Sequence, residues 1–211
     1  MGKYRIGGSL VCIMLILGMA SPAFAQDTAA GAPATPVDRL NAVLKAELDA
    51  EAFFTAAASK ADEEGFAGAA TLFRAAAEAK KVQVGVSSAA IKKKGGTPVA
   101  EAGKPELGAT ADNLAAAIKN ESHELETLDT PFLKLARSER DKEAILVFNR
   151  AEFNNKRLVR MLRETGDSPE GWKKPSPGYY VCETCGYTTL ELPSEKCSLC
   201  FEPKEQFKLV K

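Results

Sequence analysis

The sequence predicts a mainly α-helical protein that ends in a small metal-binding β ribbon. Residues 37–166 carry apolar side chains at helical spacing with alanine between them. Aromatic residues make up only 7% of the chain, which favours closely packed helices over a sheet-rich core. Four of the five cysteines lie in two Cys-x-x-Cys pairs within residues 179–211. These observations divide the chain into a helical domain and a metal-stabilised C-terminal module.

Residues 1–25 have the pattern of a secretory signal peptide. The apolar run at 10–20 follows Lys3 and Arg5, and an Ala-x-Ala cleavage site ends at Ala25. The run is shorter than the about 20 residues that span a bilayer, so we expect no stable membrane insertion after cleavage. The predicted location is the periplasm or the exterior of the cell.

The mature chain that would follow the signal peptide begins with a short leader and is nearly neutral. Residues 26–36 are small and proline-rich and are predicted to form a flexible leader. The mature chain would have 26 basic and 28 acidic residues, a net charge of 26 − 28 = −2. Because no basic stripe is interleaved with aromatic residues, we expect no nucleic-acid partner.

The helical domain is predicted at residues 37–166. Two helices are expected at 37–64 and 66–94, separated by a break at Gly65. A third helix is expected from about residue 112, with Thr110 or Asp112 as its N-cap, and a fourth helix is expected to end at about residue 164. Residues 92–111 contain four glycines and two prolines and cannot continue a helix.

The two halves of this domain resemble each other. Leu40-x-x-x-Leu44-Lys45-x-Glu47 matches Leu114-x-x-x-Ile118-Lys119-x-Glu121 at an offset of 74 residues, and Leu72-Phe73-x-x-Ala76 matches Val147-Phe148-x-x-Ala151 at an offset of 75. Two similar hairpins joined by a long connection predict a ferritin-like four-helix bundle with one long crossover.

The C-terminal part consists of a linker and a cysteine module. Residues 167–178 hold three prolines and two glycines and predict a semi-extended linker. In residues 179–211, Cys182, Cys185, Cys197 and Cys200 have the spacing of two turns that direct four thiolates at one ion. Two disulfides are the alternative for a secreted module, but a single metal ion explains the paired spacing better.

The cysteine module resembles the rubredoxin-like domain of rubrerythrins. The match lies in Cys182-x-x-Cys185-Gly186-Tyr187, Cys197-x-x-Cys200 and the tail Pro203-Lys204-x-x-Phe207, with Ser198 where the family usually has proline. The likeness extends over nearly all of residues 37–211 and implies a ferritin-like bundle followed by a rubredoxin-like iron domain.

The resemblance also implies a di-iron site in the bundle, but this chain has only some of the ligands of such a site. The family's first-helix glutamate corresponds to Glu47 and its third-helix pair to Glu121 and Glu124. The second-helix Glu-x-x-His motif falls on residues 80–83 (Lys-Lys-Val-Gln), and the fourth-helix motif falls on residues 155–158 (Asn-Lys-Arg-Leu). The chain has one histidine in all, His123, which we expect at the bundle edge or in solvent. A di-iron centre is therefore not expected.

Lys80 suggests what replaces the irons. It stands where a ligand glutamate would stand, and its ammonium could pair with Glu47, Glu121 or Glu124 in a metal-free polar core. Two alternatives stay open: the charges lie on the surface of a bundle that has drifted, or a carboxylate metal site is rebuilt. The rebuilt site would draw on Glu47, Glu51, Glu78, Glu121, Glu124 and Glu152.

The resemblance implies an iron-binding, rubrerythrin-like electron-transfer protein linked to oxidative-stress defence, with one Fe(Cys)₄ site. In rubrerythrins the di-iron centre reduces hydrogen peroxide, so the missing Glu-x-x-His motifs argue against peroxidase activity. One alternative is a structural zinc module on a metal-free helical scaffold, since four thiolates suit both metals. Another is a peroxide-reducing enzyme with a rebuilt carboxylate site. The redox partner is not encoded in any motif, and the linker would allow a homodimer.

Overall fold

A computed structural model describes residues 35–166 and 169–211 of the chain. The predicted signal peptide and all but the last two residues of the predicted leader lie outside the described residues. The helices are α1 (Pro36–Glu63), α2 (Ala67–Lys93), α3 (Thr110–Glu124), a π-helical turn (Leu125–Asp129), α4 (Thr130–Glu139), α5 (Lys142–Gly166) and α6 (Pro169–Lys173). The strands are β1 (Tyr179–Cys182), β2 (Thr188–Thr189) and β3 (Phe207–Val210).

Helices α1 and α2 form the first hairpin of the bundle, close to the predicted bounds. Thr35 caps α1 by accepting a hydrogen bond from Asp38 N, and the Asp38 carboxylate accepts one from Thr35 N in return. The rings of Phe54 and Phe73 lie 6.0 Å apart across the hairpin. The chain breaks at Gly65 as the sequence predicted.

The second hairpin differs from the prediction in two ways. The predicted N-cap is wrong, because Ala109 occupies that position and Thr110 is the first helical residue. The predicted third helix also contains the π-helical turn before it continues as α4, which ends at Arg140 in a left-handed conformation with φ 56°. Residues 94–109 connect the two hairpins without a helix or strand, so the fold is a ferritin-like bundle with one long crossover.

The apolar core is divided into two clusters by a layer of buried polar side chains. One cluster contains Phe54, Phe73 and Leu114, and the other contains Leu44 and Phe148, together with their neighbours. On the long helices the polar residues lie between members of the two clusters. These residues are Glu47, Lys80, Gln83, Ser87, Glu121, Glu124, Asp129, Asn154 and Asn155. The layer marks the middle of the bundle.

The predicted linker is more ordered than a semi-extended segment, because α6 forms within it. Buried Trp172 packs edge-on against Phe66, with ring centroids 6.2 Å apart, and this contact anchors the segment on the bundle. An aromatic anchor therefore overrides the extended preference of the three prolines.

The C-terminal module is an antiparallel sheet of three short strands in the order β2-β1-β3. Cys182 closes β1 opposite Phe207 of β3, which places the first cysteine pair at the end of the sheet. No helix within the described residues is long and apolar enough to cross a membrane.

Candidate metal centre

The four predicted cysteine ligands converge at the end of the C-terminal sheet. Their sulfur atoms all lie within 4.8 Å of one another. Cys182 Sγ lies 3.6 Å from Cys200 Sγ, and Cys185 Sγ lies 3.6 Å from Cys197 Sγ. A tetrahedron with metal–sulfur bonds of about 2.3 Å has edges of about 3.8 Å, whereas a disulfide is about 2.05 Å long. The geometry fits one tetrahedral ion and not two disulfides.

Two backbone turns of similar shape hold the cysteines. In the first, Gly186 N donates to Cys182 O at 2.8 Å, and Gly186 adopts φ +77°, which glycine tolerates best. In the second, Phe201 N donates to Cys197 O at 3.1 Å, and Phe201 has φ +62°. The second turn therefore places an aromatic residue at the position where the first has glycine.

Two of the four sulfur atoms, those of Cys182 and Cys197, lie in an environment suited to metal binding. A hydrogen bond from the Cys185 thiol lowers the pKa of Cys182 to about 5, and the same contact raises the pKa of Cys185. The amide of Leu199 lies 3.4 Å from Cys197 Sγ and donates to it. A thiolate at neutral pH and an N–H group directed at sulfur are what a metal ion requires of this site.

The first turn packs directly on α2 and α5 of the bundle. Asn154 Nδ2 donates to Cys185 O at 2.6 Å, and Arg157 donates to Thr188 O. A Cβ on Gly186 would lie only 2.8 Å from Ala79 O, so a larger residue would force the turn away from α2. The cysteine site is thus attached to the middle of its own bundle.

The predicted ion pair of Lys80 is present in the polar layer. Lys80 Nζ lies 2.7 Å from Glu121 Oε2 and 3.3 Å from Glu124 Oε2, and it donates to Asn155 Oδ1 at 2.9 Å. Lys80 is completely buried, and the two glutamates are nearly so. The alternative in which these charges lie on the bundle surface is therefore wrong.

Glu47 is buried in the same layer but has a different partner. Ser87 Oγ donates to Glu47 Oε2 at 2.7 Å. The sequence had offered Glu47 as one of three partners for Lys80, and the direct contacts of the ammonium are with the other two.

Sequence reasoning missed Asp129, a fourth buried carboxyl group. Its Oδ2 accepts a hydrogen bond from Asn155 Nδ2 at 2.7 Å, and Asn155 Nδ2 also lies 3.1 Å from Glu124 Oε1. Asp129 Oδ1 has no hydrogen-bond partner among the described residues. The π-helical turn brings Asp129 inward, and the only sequence signal nearby is Pro131, which interrupts the helical hydrogen bonds.

The charges of the polar layer do not balance if every group is ionised. Burial raises the pKa values of Glu47 and Asp129 well above the ordinary range. Burial also raises the pKa of Glu121 to about 7, although the ammonium opposes this. Burial would lower the pKa of Lys80, but the carboxylates led by Glu121 and Glu124 outweigh it and raise that pKa. The layer thus places a buried ammonium next to carboxyl groups whose pKa values are raised by burial.

Comparison with known proteins agrees with this architecture. The family model for rubrerythrin matches residues 38–157. The chain belongs to the rubrerythrin family. It is 28% identical to nigerythrin from Nitratidesulfovibrio vulgaris over 176 residues, covering 81% of this chain and 84% of nigerythrin. It is 34% identical to rubrerythrin-2 from Clostridium acetobutylicum over 97 residues, covering 46% of this chain and 53% of that protein.

A solved structure supports the same relationship. Nigerythrin in its fully reduced, all-ferrous state matches with a TM-score of 0.76 at 25% identity, over 87% of this chain and 91% of that chain. The C-terminal Cys₄ module of this rubrerythrin-family chain is rubredoxin-like, and the combination indicates an iron redox protein in general terms.

The positions of the two absent Glu-x-x-His motifs face the interior of this family member. Lys80 and Gln83 are buried on α2, and Asn155 and Leu158 are buried on α5. The side chains that the resemblance aligns with the expected ligands are therefore buried, and they supply an ammonium, two amides and an apolar group. None of these four is a usual ligand for hard iron ions.

Only Glu47, Glu121 and Glu124 of the six residues considered for a rebuilt carboxylate site lie in the polar layer. Glu78 pairs with Lys208 at 3.0 Å, and Glu152 accepts from Thr130 Oγ1 at 2.9 Å and pairs with Lys156 at 3.1 Å. Glu51 is only partly buried. Within residues 35–166 and 169–211, the four cysteines are the only group of three or more metal-ligating side chains that converge.

A groove of about 610 Å³ between α1 and α3 borders the polar layer. Glu121 and Glu124 line it, together with His123, Asp49 and Phe53. His123 is exposed, as the sequence predicted. The groove gives small solutes a route toward the buried glutamates.

Proposed function

We propose that this protein is an exported one-electron carrier whose only redox centre is one iron ion held by Cys182, Cys185, Cys197 and Cys200. Membership of the rubrerythrin family and the converging cysteines support an iron redox protein. The observation that carries the finer proposal is the position of Lys80 Nζ, 2.7 Å from Glu121 and 3.3 Å from Glu124.

The polar layer does not fit a di-iron centre. A buried ammonium at hydrogen-bond distance from two carboxylates occupies space that iron would need. Iron could bind these carboxylates only by separating them from the ammonium, which would leave a buried cation without its partners. Two ferrous ions would bring four positive charges, whereas the layer contains the Lys80 ammonium and carboxyl groups with raised pKa values. We therefore derive no reaction from a metal in the bundle.

The cysteine module fits a single ion, and its residues define what that ion can do. When bound, iron at four thiolates supplies a one-electron ferric–ferrous couple. Cys182, Cys185 and Cys197 are fully buried, so the protein excludes water from most of the site. Asn154 fixes the first turn through the carbonyl of Cys185, which limits rearrangement of the ligands on a change of charge.

A reductive titration with an absorption spectrum tests this proposal. The purified mature protein should be red when oxidised and should take up one electron per chain as the colour is lost. A colourless protein that contains zinc would favour the structural module instead. Uptake of three electrons per chain would contradict the absence of a di-iron centre.

Peroxide consumption provides the second test. Reduced protein mixed with hydrogen peroxide in a stopped-flow instrument should show no multiple turnover when a reductant is supplied. Sustained turnover that depends on Glu121 or Glu124 would support a peroxidase with a rebuilt site and would contradict the carrier proposal.

The proposed location follows from residues 1–25, whose pattern is that of a cleaved signal. Edman sequencing of protein recovered from the periplasm or medium should begin at Gln26. Recovery of the full-length chain in the cytoplasm alone would contradict export.

A further inference from the structure

The four cysteines differ in their access to solvent. Cys182, Cys185 and Cys197 are fully buried, whereas Cys200 is partly exposed. The first turn is covered by α2 and α5, as described above. The second turn instead borders a groove of about 550 Å³ against the first half of α5, and Cys200 lines that groove. An electron that enters or leaves the site has its most direct path through this side.

The groove combines an apolar centre with positive charge. Phe201 and Leu146 line it with 67% and 45% of their surfaces exposed. Lys142 and Arg150 also line it, and no carboxylate among the described residues does. Lys196 lies over the ring of Phe201, with Nζ 5.5 Å from the centroid, and adds a third cation at the rim. Asp141 and Glu143 flank Lys142 in sequence, but they lie outside the groove lining and pair with Lys94 and Lys93. Glu195 and Glu202, near the second turn, are exposed and also lie outside the lining.

We propose that this groove, defined by Lys142, Leu146, Arg150, Cys200 and Phe201, is the docking surface for an acidic redox protein. The inference rests on the proposed carrier function and adds the class of partner. One electron moves per encounter, so that one protein is oxidised and the other reduced. No bond forms or breaks, and no proton has to be transferred.

Charge and shape both favour such a partner. Opposite charges on the two surfaces speed the encounter, and exposed apolar side chains at the centre supply the close contact. The same groove of a second copy is disfavoured as the occupant, because a two-fold axis at Cys200 would place Lys142 and Arg150 near their own equivalents. Such a contact brings like charges together.

Inorganic oxidants of opposite charge test the surface directly. Reduced iron-loaded protein is mixed with hexacyanoferrate(III), an anion, or with tris(phenanthroline)cobalt(III), a cation, at low and high salt. The double variant K142E/K196E should react about tenfold more slowly with the anion at low salt and faster with the cation, and both effects should shrink at high salt. Arg150 is left intact because it donates to Thr184 O.

The matched control is K104E/K119E, which changes the net charge equally at exposed positions on the crossover and α3. It should alter the rates by less than about twofold. Equal effects of the two double variants would overturn the proposal, because they would show that overall charge rather than the groove controls access.

A protein probe tests the apolar centre. A reduced plant-type [2Fe–2S] ferredoxin, used as the acidic probe, should reduce the oxidised protein with a rate that saturates. L146A should raise the half-saturating concentration several-fold without changing the hexacyanoferrate rate. Saturation that is unaffected by both L146A and K142E/K196E would overturn the proposal.

A readout without electron transfer separates this inference from the carrier proposal. Hexacyanochromate(III) added to zinc-substituted protein should broaden the NMR signals of residues around Lys142 and Phe201 first. Broadening elsewhere, or a dimer in sedimentation that K142E/K196E dissociates, would overturn the inference. Loss of iron binding alone would refute the carrier function and leave the mapped surface intact.

Discussion

The polar layer of the bundle and the cysteine site of the module are both buried, and the resemblance to rubrerythrins implied a metal site at each. They differ in what satisfies their charges. The four sulfur atoms converge within 4.8 Å with no positive side chain between them, so the site is complete only with an ion. In the bundle, the Lys80 ammonium already lies against Glu121 and Glu124. One buried ammonium therefore supplies part of the positive charge that a metal would bring.

Loss of one cysteine should have the largest effect. C197S removes a fully buried ligand, and we expect the module to lose its ion and unfold while the bundle stays helical. Structural metal sites contribute about 10–16 kcal/mol to the folding of small modules. Metal analysis and proteolysis between the two domains measure the effect. The matched variant E47Q should leave the metal content unchanged. A loss of iron in E47Q would contradict the distinction between a cysteine site that needs an ion and a polar layer that does not.

Removal of the ammonium should have the next largest effect. K80M leaves buried carboxylates without a cation, and we expect a loss of about 3–5 kcal/mol in the free energy of unfolding at pH 7. Urea denaturation of the bundle provides the measurement, with K81M as the control because Lys81 is exposed on the same helix. The loss should be smaller at pH 5, where the carboxyl groups can be protonated. Equal stability of K80M and K81M at pH 7 would contradict the proposed charge balance.

The pH dependence of stability gives a third comparison. Burial raises the pKa of Glu121 from an ordinary value of 4.5 to about 7. The folded state therefore binds this proton more tightly than the unfolded state, and the stability that the proton contributes is present below pH 4.5 and is lost as the pH rises through about 7.

We expect wild-type stability to fall by up to about 3 kcal/mol relative to E121Q between pH 4.5 and 8. Parallel pH profiles for the two proteins would show that Glu121 does not carry the proton. Burial raises the pKa values of Glu47 and Asp129 in the same direction, so E121Q should retain part of the slope.

The smallest effect is expected where the two regions meet. N154A removes the hydrogen bond to Cys185 O and should lower the stability of the module by about 1 kcal/mol. Amide exchange at Gly186 and Tyr187 should become faster. N149A is the control, since Asn149 is exposed on the same helix. Unchanged exchange in N154A would mean that the bundle does not stabilise the first cysteine turn.

Much of this arrangement could be predicted because it depends on local patterns. The cysteine spacing predicted the site, and the internal repeat placed Glu47 and Glu121 at equivalent depths of the bundle. The family resemblance placed Lys80 at the position of a ligand glutamate. The cost of burying carboxylates without a positive partner then favoured an ion pair with Lys80.

The other features of the site depend on tertiary contacts that no local sequence pattern indicates. Asp129 becomes buried only because a π-helical turn shifts the helix around it. The sequence of this segment has an ordinary α-helical pattern, which does not indicate the π-helical turn. Trp172 orders the linker through a contact with Phe66, more than a hundred residues away. The attachment of the cysteine turn to Asn154 likewise arises from packing between domains.

Iron stoichiometry after anaerobic reconstitution with excess ferrous ion tests the central claim most directly. We expect one iron per chain, lost in C197S and retained in E121Q. Three irons per chain, with two of them lost in E121Q, would show that the bundle binds a di-iron centre despite Lys80 and would contradict the account.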